Sequence, residues 1–376
     1  MTANKADISE TSLFLEYQGR GEKGEQVLIN LLKDHTTQQN IYWGTDSYAS
    51  MGEGYTFFDP ITLDKITGEH DLVVRPRAAK SKDEQTQRAK DKAEVFTPAW
   101  ICNAQNNLVD EAWFGRKDGL FNTEYVDDNG QHLWTNNPDK IVFPDTEGKT
   151  WRDYVADRRI EITCGEAPYL SNRYDAVSGE YNEDAIHRIG LLDRKLRIVS
   201  ENTSDSKEWI QWAKLALCAT YGFEWQGDNL LLAREALFFT FQEHYIQKFG
   251  EKKFNQNRMR MMPGVAYIIS WNIWQMDGLT CGFPGYHPTE EGIVQRQKRE
   301  AENKRRVNES NKSLFKEPPQ LLPEIPLPEN PHERFCVVKD WLKDIDVHKS
   351  KMDAREFANP KRPHETFESI VNGNNN

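Results

Sequence analysis

One segment near the middle of the chain constrains its fold more than any other, the run RRIEITCGEAPYL from Arg158 to Leu170. It begins as a brief apolar strand, ends at the acid Glu161, and continues through a turn built mainly from small residues. In a doubly wound α/β sheet, small residues after a strand let the main chain approach a ligand, and the next helix offers free N–H groups. The segment therefore predicts a parallel sheet with a ligand site at its carboxyl edge.

A simpler interpretation of the same turn is also open. Gly165 is its single glycine, so the three-glycine pattern typical of dinucleotide sites is missing. On this interpretation Cys164 and Gly165 merely close the strand, and Pro168 begins a helix at its first position. The segments on either side in the sequence favour the ligand site.

Two of those segments complete a pattern with the turn. Phe96-Thr97-Pro98 predicts a turn into a helix, with Thr97 as its cap and Pro98 in the first helical position. Residues 221–224 predict a second strand, which ends at Glu224 and precedes another helix. In one parallel sheet the two acids would end neighbouring strands, where a carboxylate can accept two ribose hydroxyls. The pattern therefore indicates a site for a nucleoside cofactor.

In their order and identity, these residues resemble the adenine-N6 DNA methyltransferases of restriction-modification systems, in divergent form. In that family an FTP-type motif precedes a strand that reads acid-Pro-Ala-Cys-Gly-Ser-Gly, followed by an aromatic residue and Leu. The matching positions in this strand and turn are Glu161, Thr163, Cys164, Gly165, Ala167, Tyr169 and Leu170. Phe96, Thr97 and Pro98 match the FTP motif, and Glu224 matches the acid that binds the ribose.

The resemblance implies a Rossmann-like, S-adenosylmethionine-dependent methyltransferase core over residues 93–285, in the α/β class. The cofactor-binding residues that it implies are Phe96, Thr97, Pro98, Glu161, Thr163, Cys164, Gly165, Ala167 and Glu224. The implied partners are double-stranded DNA with an adenine target and a separate restriction or specificity subunit. Beside this core the sequence predicts an N-terminal extension over residues 1–92, and a charged helix, a Pro-rich linker and a short helix over residues 286–376.

The family's catalytic motif, Asn or Asp followed by Pro-Pro and an aromatic residue, has no direct equivalent here. A strand is expected to end near Ser270, and SWNIWQMDG follows it, in which Asn272 would hold the target amine and Trp274 would stack on a flipped adenine. The loop can be a variant catalytic site, a site for another acceptor, or the remnant of a fold without catalysis. Plain core packing of Trp271 and Trp274 is a fourth interpretation. The alternative function is thus an inactive partner subunit with the methyltransferase fold.

Charge and composition limit the other function classes. The net charge of −11 means that the surface as a whole does not attract nucleic acid. The basic segments over residues 75–92 and 296–306 can each follow a phosphate backbone or form a solvated helix face. The five scattered cysteines argue against a disulfide framework or a zinc ribbon. The absence of an N-terminal leader and of a run of about 18 apolar residues predicts a cytoplasmic protein without a membrane span.

Two predictions concern packing. The aromatic residues between Tyr42 and Phe58 predict a small core, with a base-stacking surface as the alternative. The helix after Pro98 is expected to bury an apolar stripe made of Ile101, Leu108, Val109 and Trp113.

Overall fold

The computed structural model describes residues 16–71, 73–92, 94–95, 97–117, 119–279, 281–284, 298, 301–308, 336–341 and 351–353. About half of these residues are helical, and the strands are short. The chain is therefore a mixed α/β protein, and the predicted α/β class is confirmed at this level.

The helices and strands fall in the following places. The helices are α1 (Gly21–Leu32), α2 (Leu63–Ile66), α3 (Lys82–Lys92), α4 (Ala99–Phe114), α5 (Trp151–Ala156), α6 (Leu191–Asn202), α7 (Ser206–Cys218), α8 (Gly227–Phe249) and α9 (Glu251–Asn272). The strands are β1 (Asn122–Val126), β2 (His132–Asn136), β3 (Arg159–Glu161), β4 (Thr220–Glu224), β5 (Ile273–Gln275), β6 (Val337–Lys339) and β7 (Lys351–Asp353). Residues 301–308 are also helical.

Three strands form a parallel sheet in the order β3-β4-β5. Its register pairs Glu161 with Gly222 and Glu224 with Gln275, so both acids lie at the carboxyl edge. The helices α6 and α7 connect the first two strands, and α8 and α9 connect the second to the third. The prediction that the acids end neighbouring parallel strands is confirmed. The pairs β1-β2 and β6-β7 are separate antiparallel sheets.

The helix α8 forms the middle of the core. It is buried on almost every side, because apolar residues such as Leu230, Leu237, Phe238 and Phe241 occur all around it. The helices α1, α6 and α9 pack against it. Residues before position 92 therefore share one hydrophobic core with the residues after it.

A buried arginine in α8 joins the ends of two other helices. Arg234 has no exposed surface, and its guanidinium donates to the carbonyl oxygens of Leu31 at 2.8 Å and Lys33 at 2.9 Å, where α1 ends. It also donates to the carbonyls of Ser270 at 3.2 Å and Ile273 at 2.8 Å, where α9 ends. A cation at two helix C-termini is favourable because the orphan carbonyls there carry partial negative charge.

The prediction of a strand that ends near Ser270 is wrong. Val265 to Ser270 form the last turns of α9, which continues to Asn272, and only Ile273–Gln275 are a strand. The run is apolar and buried, and a buried helix gives the same continuous apolar signal as a buried strand.

The prediction that α4 buries an apolar stripe is also wrong. Leu108 is 60% exposed and Val109 is 40% exposed, whereas Asn103, Asn106 and Asp110 are buried. The polar face of α4 is the buried one because polar groups of neighbouring segments form hydrogen bonds with it.

One of those partners is the buried Arg194, which donates to Asp110 at 2.6 Å and to Asn103 at 2.9 Å. Asn106 donates to the carbonyls of Tyr169 at 2.9 Å and Ile189 at 3.0 Å. These contacts fix α4 against the segment that follows β3.

The aromatic residues between Tyr42 and Phe58 form core, as predicted. Tyr42, Trp43, Tyr55 and Phe57 are each at most 2% exposed. In the C-terminal part, the short helix predicted within residues 286–376 is wrong where the chain is described, because Val337–Lys339 form β6 and pair with β7. In the described ranges, no helix combines the length and the apolar character needed to cross a membrane.

Candidate functional site

The turn after β3 is bonded directly to β4. The N–H of Cys164 donates to the carbonyl of Phe223 at 2.8 Å, and the N–H of Gly165 donates to Oε2 of Glu224 at 2.9 Å. The other carboxylate oxygen of Glu224 accepts the N–H of Gln226 at 3.1 Å. The small-residue turn and the acid that ends β4 are therefore one unit at the carboxyl edge of the sheet.

Three residues of this turn have a left-handed backbone. The φ angles are 48° at Thr163, 53° at Gly165 and 61° at Ala167. A positive φ is unfavourable for a β-branched residue such as threonine, and non-glycine residues of this kind concentrate at ligand sites and switch regions. The strained backbone favours a functional role for the turn over a simple strand ending.

The two acids at the strand ends are buried. Glu161 is 9% exposed, and its Oε2 accepts the N–H of Leu170 at 3.2 Å. Burial raises the pKa of Glu161 well above its ordinary range, and the nearby charge of Glu224 raises it further. Burial also raises the pKa of Glu224, although the N–H groups of Gln226 and Gly165 oppose the shift. A hydroxyl donor would stabilise the carboxylate of Glu224.

Cys164 has a packing role in this turn. Its thiol is 1% exposed, and a Cβ added at Gly222 of β4 would lie 3.2 Å from its sulfur. Burial raises the pKa of the thiol, and the charges of Glu161 and Glu224 add to the shift. The thiol is therefore protonated at neutral pH and is not a nucleophile. Gly222 is needed because the turn lies directly on β4.

The segment that resembles the FTP motif lies against the turn. Phe96 lies outside the described residues, and Thr97 and Pro98 are half-buried. α4 begins at Ala99, one residue later than predicted, and the side chain that accepts its first N–H is Asp175 at 2.7 Å rather than Thr97. The carbonyl of Thr97 instead accepts the thiol of Cys102, within α4, at 3.7 Å.

Glu166 stands where the resembled family has a small residue, and its carboxylate is fully engaged. Oε1 accepts the N–H of Arg77 at 2.6 Å, and Oε2 accepts the hydroxyl of Tyr174 at 2.9 Å. The side chain is 3% exposed. Its charge is thereby used to hold the segment before α3 against the turn.

Asn272 lies at the opposite edge of the sheet from the turn. It is the last residue of α9, and its amide donates to the carbonyls of Leu217 at 2.7 Å and Thr220 at 3.0 Å, at the amino end of β4. Its side-chain oxygen accepts the indole N–H of Trp341 at 2.6 Å. Its predicted position beside the cofactor turn is therefore wrong, because α9 continues beyond the point where the predicted strand would have ended.

Trp274 lies within β5 and faces other core residues. It is 3% exposed, its ring lies 5.8 Å from that of Phe223 and 6.5 Å from that of Tyr221, and its N–H donates to the sulfur of Met276. Trp274 therefore packs in the core, in agreement with the core-packing interpretation of this residue.

The segment that does follow β5 at the carboxyl edge is residues 276–279. A Cβ added at Gly278 would lie 2.9 Å from the ring of Phe223 and 3.8 Å from Cγ2 of Thr163. This loop therefore adjoins the turn after β3. Asp277 is 7% exposed and accepts the N–H of Leu279 at 2.9 Å. Sequence reasoning missed Asp277, although an acid two residues after the third strand is the signal that could have identified it.

A buried ion cluster extends the same edge. The guanidinium of Arg88 binds both oxygens of Glu94, at 2.7 and 2.8 Å, and Asp228 at 2.8 Å. It also donates to the side chain of Gln226 at 3.3 Å, whose N–H in turn binds Glu224. Part of the basic segment over residues 75–92 is therefore buried and lies beside the candidate site. At Arg88 it is not the solvated helix face that was one of the two predictions.

We compared the chain with known protein families, with curated proteins and with solved structures, and none of these comparisons gives a match.

Proposed function

We propose that the chain is an S-adenosylmethionine-dependent, adenine-N6 DNA methyltransferase-like protein of a restriction-modification or related defence system, with a Rossmann-like core. The observation that carries the proposal is the hydrogen bond from the N–H of Gly165 to Glu224. It joins a strained, small-residue turn to a carboxylate at the ends of neighbouring parallel strands, which is where α/β sheets bind nucleoside cofactors.

The donor and acceptor groups of this edge fit a nucleoside with free hydroxyls. Each oxygen of Glu224 accepts a main-chain N–H and has further lone-pair capacity for a ribose hydroxyl. Ala167 and Gly165 add little side-chain bulk beside it. Thr97 and Tyr169 would form the adjoining wall.

The chemistry that the cofactor supplies is an activated methyl group on a sulfonium, so the protein's contribution is mainly positioning. The loop 276–279 is the segment best placed to face an acceptor, because Gly278 adjoins Thr163. Within it, Asp277 would hold the amine of an adenine in double-stranded DNA. A separate specificity or restriction subunit would select one target sequence, whereas the chain alone would methylate accessible adenines without sequence preference.

A catalytically inactive partner subunit with the same fold is the second candidate function. The observation that favours it is the full engagement of Asn272 in main-chain and indole hydrogen bonds at the other edge of the sheet. The loop after β5 then has an acid but neither the prolines nor the aromatic residue of the resembled motif.

A methylation assay distinguishes the two candidates. Purified protein is incubated with adenine-containing duplex DNA and S-adenosylmethionine labelled on the methyl group, and incorporation is measured for the wild type and Asp277→Ala. Incorporation that is lost in Asp277→Ala supports the enzyme. No incorporation by a wild type that binds the cofactor supports the inactive subunit.

A further inference from the structure

A cavity lies between the segment near Tyr48 and the helix α3, away from the turn after β3. Its volume is about 150 Å³. A cavity that holds one water molecule has a volume of about 10–15 Å³, so this cavity is roughly ten times larger. Its lining includes Tyr48, Arg75, Lys80, Glu84 and Arg88.

Two positively charged groups on the wall of this cavity have buried donor atoms without a hydrogen-bond partner. The side chain of Lys80 is 5% exposed, and its ammonium has no hydrogen-bond acceptor within range. The Nε of Arg75 is buried and also lacks an acceptor, although the Nη2 of the same guanidinium binds Glu84 at 3.1 Å. Buried cationic donors are seldom left unsatisfied, because desolvation without a partner is costly.

The negative charges nearby each have another partner, although the Oδ1 of Asp228 is buried without a hydrogen-bond donor. The Oδ2 of Asp228 is 2.8 Å from Arg88 and accepts the hydroxyl of Tyr48 at 2.6 Å, whereas Lys80 is 3.7 Å away, beyond hydrogen-bond distance. Glu84 accepts the N–H of Ser81 in addition to its contact with Arg75. The ammonium of Lys80 and the Nε of Arg75 therefore keep free donor capacity on the cavity wall, which an anion entering the cavity could use.

We propose that this cavity is a binding site for a phosphate group, held by the ammonium of Lys80 and the Nε of Arg75. A tetrahedral oxyanion presents acceptors in several directions and can satisfy both donors at once. The phosphate is either a free ion or a phosphodiester of a nucleic acid backbone, since both present the same oxygens. The site is distinct from the proposed cofactor site, and it does not depend on methyl transfer.

The test compares variants of the full chain with two probes. Lys80→Met removes the ammonium and keeps most of the side-chain volume, and Arg75→Gln removes the guanidinium of a partly exposed residue. Lys82→Gln removes one positive charge from an exposed position at the start of α3 and serves as the matched control. Circular dichroism and the unfolding midpoint establish that each variant is folded.

The first probe is inorganic phosphate, titrated calorimetrically at constant ionic strength. The second is a short fluorescent DNA duplex, titrated at several salt concentrations. We expect Lys80→Met and Arg75→Gln to weaken binding of at least one probe about tenfold, because charged hydrogen bonds of this kind are lost. Lys82→Gln should leave the affinity for phosphate unchanged. Where duplex binding is weakened, the magnitude of the slope of log affinity against log salt should also fall by about one, because one phosphate contact and its released counterion are lost.

The two probes distinguish the source of the phosphate. Effects on phosphate binding alone identify a free ion, and effects on duplex binding alone identify a backbone phosphate. If the wild type binds neither probe, or if both folded cavity variants bind as Lys82→Gln does, the proposal is overturned. If Lys80→Met does not fold, Arg75→Gln decides the outcome.

Discussion

The side-chain oxygen of Asn272 accepts a hydrogen bond of 2.6 Å from the indole N–H of Trp341. This contact joins the end of α9 to the described C-terminal residues 336–341. The amide of Asn272 donates at the same time to Leu217 and Thr220, so these partners lie at the amino edge of the sheet. The residue is a structural link and is remote from the proposed cofactor site.

We therefore predict that Asn272→Ala mainly lowers stability. Removing the amide leaves two buried carbonyls and the partly buried indole N–H of Trp341 without their partner, which costs about 2–4 kcal/mol in the free energy of unfolding. Urea denaturation measures this loss, and the exposed Asn255→Ala on the same helix is the control. Binding of S-adenosylmethionine by the folded variant should match that of the wild type. A variant as stable as the wild type that loses only activity would show that Asn272 acts in catalysis.

Arg234 is predicted to be essential for the packing of α1 and α9. Its guanidinium satisfies carbonyls at the ends of both helices, so Arg234→Met should lower the free energy of unfolding by about 3 kcal/mol or more. The exposed Arg260→Met on α9 should have little effect. Thermal or urea unfolding measures both. Equal stability of the two variants would mean that the buried hydrogen bonds of Arg234 contribute nothing net.

Stability should depend on pH through Glu161, whose folded pKa lies well above its ordinary value of 4.5. Between pH 4.5 and the folded pKa, the folded protein binds a proton that the unfolded chain has released. The stability that Glu161 contributes is therefore fully present below pH 4.5 and is lost as pH rises through the folded pKa. The stability of the wild type relative to Glu161→Gln should fall over that range. Glu147→Gln, at an exposed position, controls for net charge. A difference that is constant or rises with pH would contradict the shift.

Lys195 should contribute a pH dependence in the alkaline range. Burial lowers its pKa from 10.5 to about 7, while its ammonium donates to the carbonyls of Asp157 and Ala219. Between pH 7 and 10.5 the unfolded chain binds a proton that the folded chain has lost, so stability rises with pH. The wild type should gain stability relative to Lys195→Met across this window, by at most about 1.4 kcal/mol per pH unit. A flat difference from about pH 6 to 9 would show that the ammonium stays charged in the fold.

The parallel sheet and its carboxyl edge were predictable from sequence because the signal is local. Glu161 and Glu224 each close a short run of strand-forming residues and precede small residues or a helix start. Parallel strands connected by helices place such acids at one edge. The amino-acid sequence alone therefore sufficed to predict that the turn at Gly165 lies beside Glu224.

The remaining differences arise from contacts that are distant in the sequence. Leu108 and Val109 look like core, but the buried face of α4 is polar because Arg194 lies against it. The last turns of α9 look like a strand because α1 and α8 cover them, and burial hides the helical period. The cavity beside Lys80 requires the segment near Tyr48 to fold back on α3, which no local pattern indicates.

Calorimetric titration with S-adenosylmethionine tests the central claim most directly. The wild type should bind the cofactor saturably, Glu224→Ala should abolish the binding, and Glu147→Gln, which removes an exposed acid, should bind as the wild type does. The expected loss follows from removing the carboxylate that joins β4 to the turn and would accept the ribose hydroxyls. A wild type that shows no binding, or a folded Glu224→Ala variant that binds equally well, would contradict the assignment of this edge as the cofactor site.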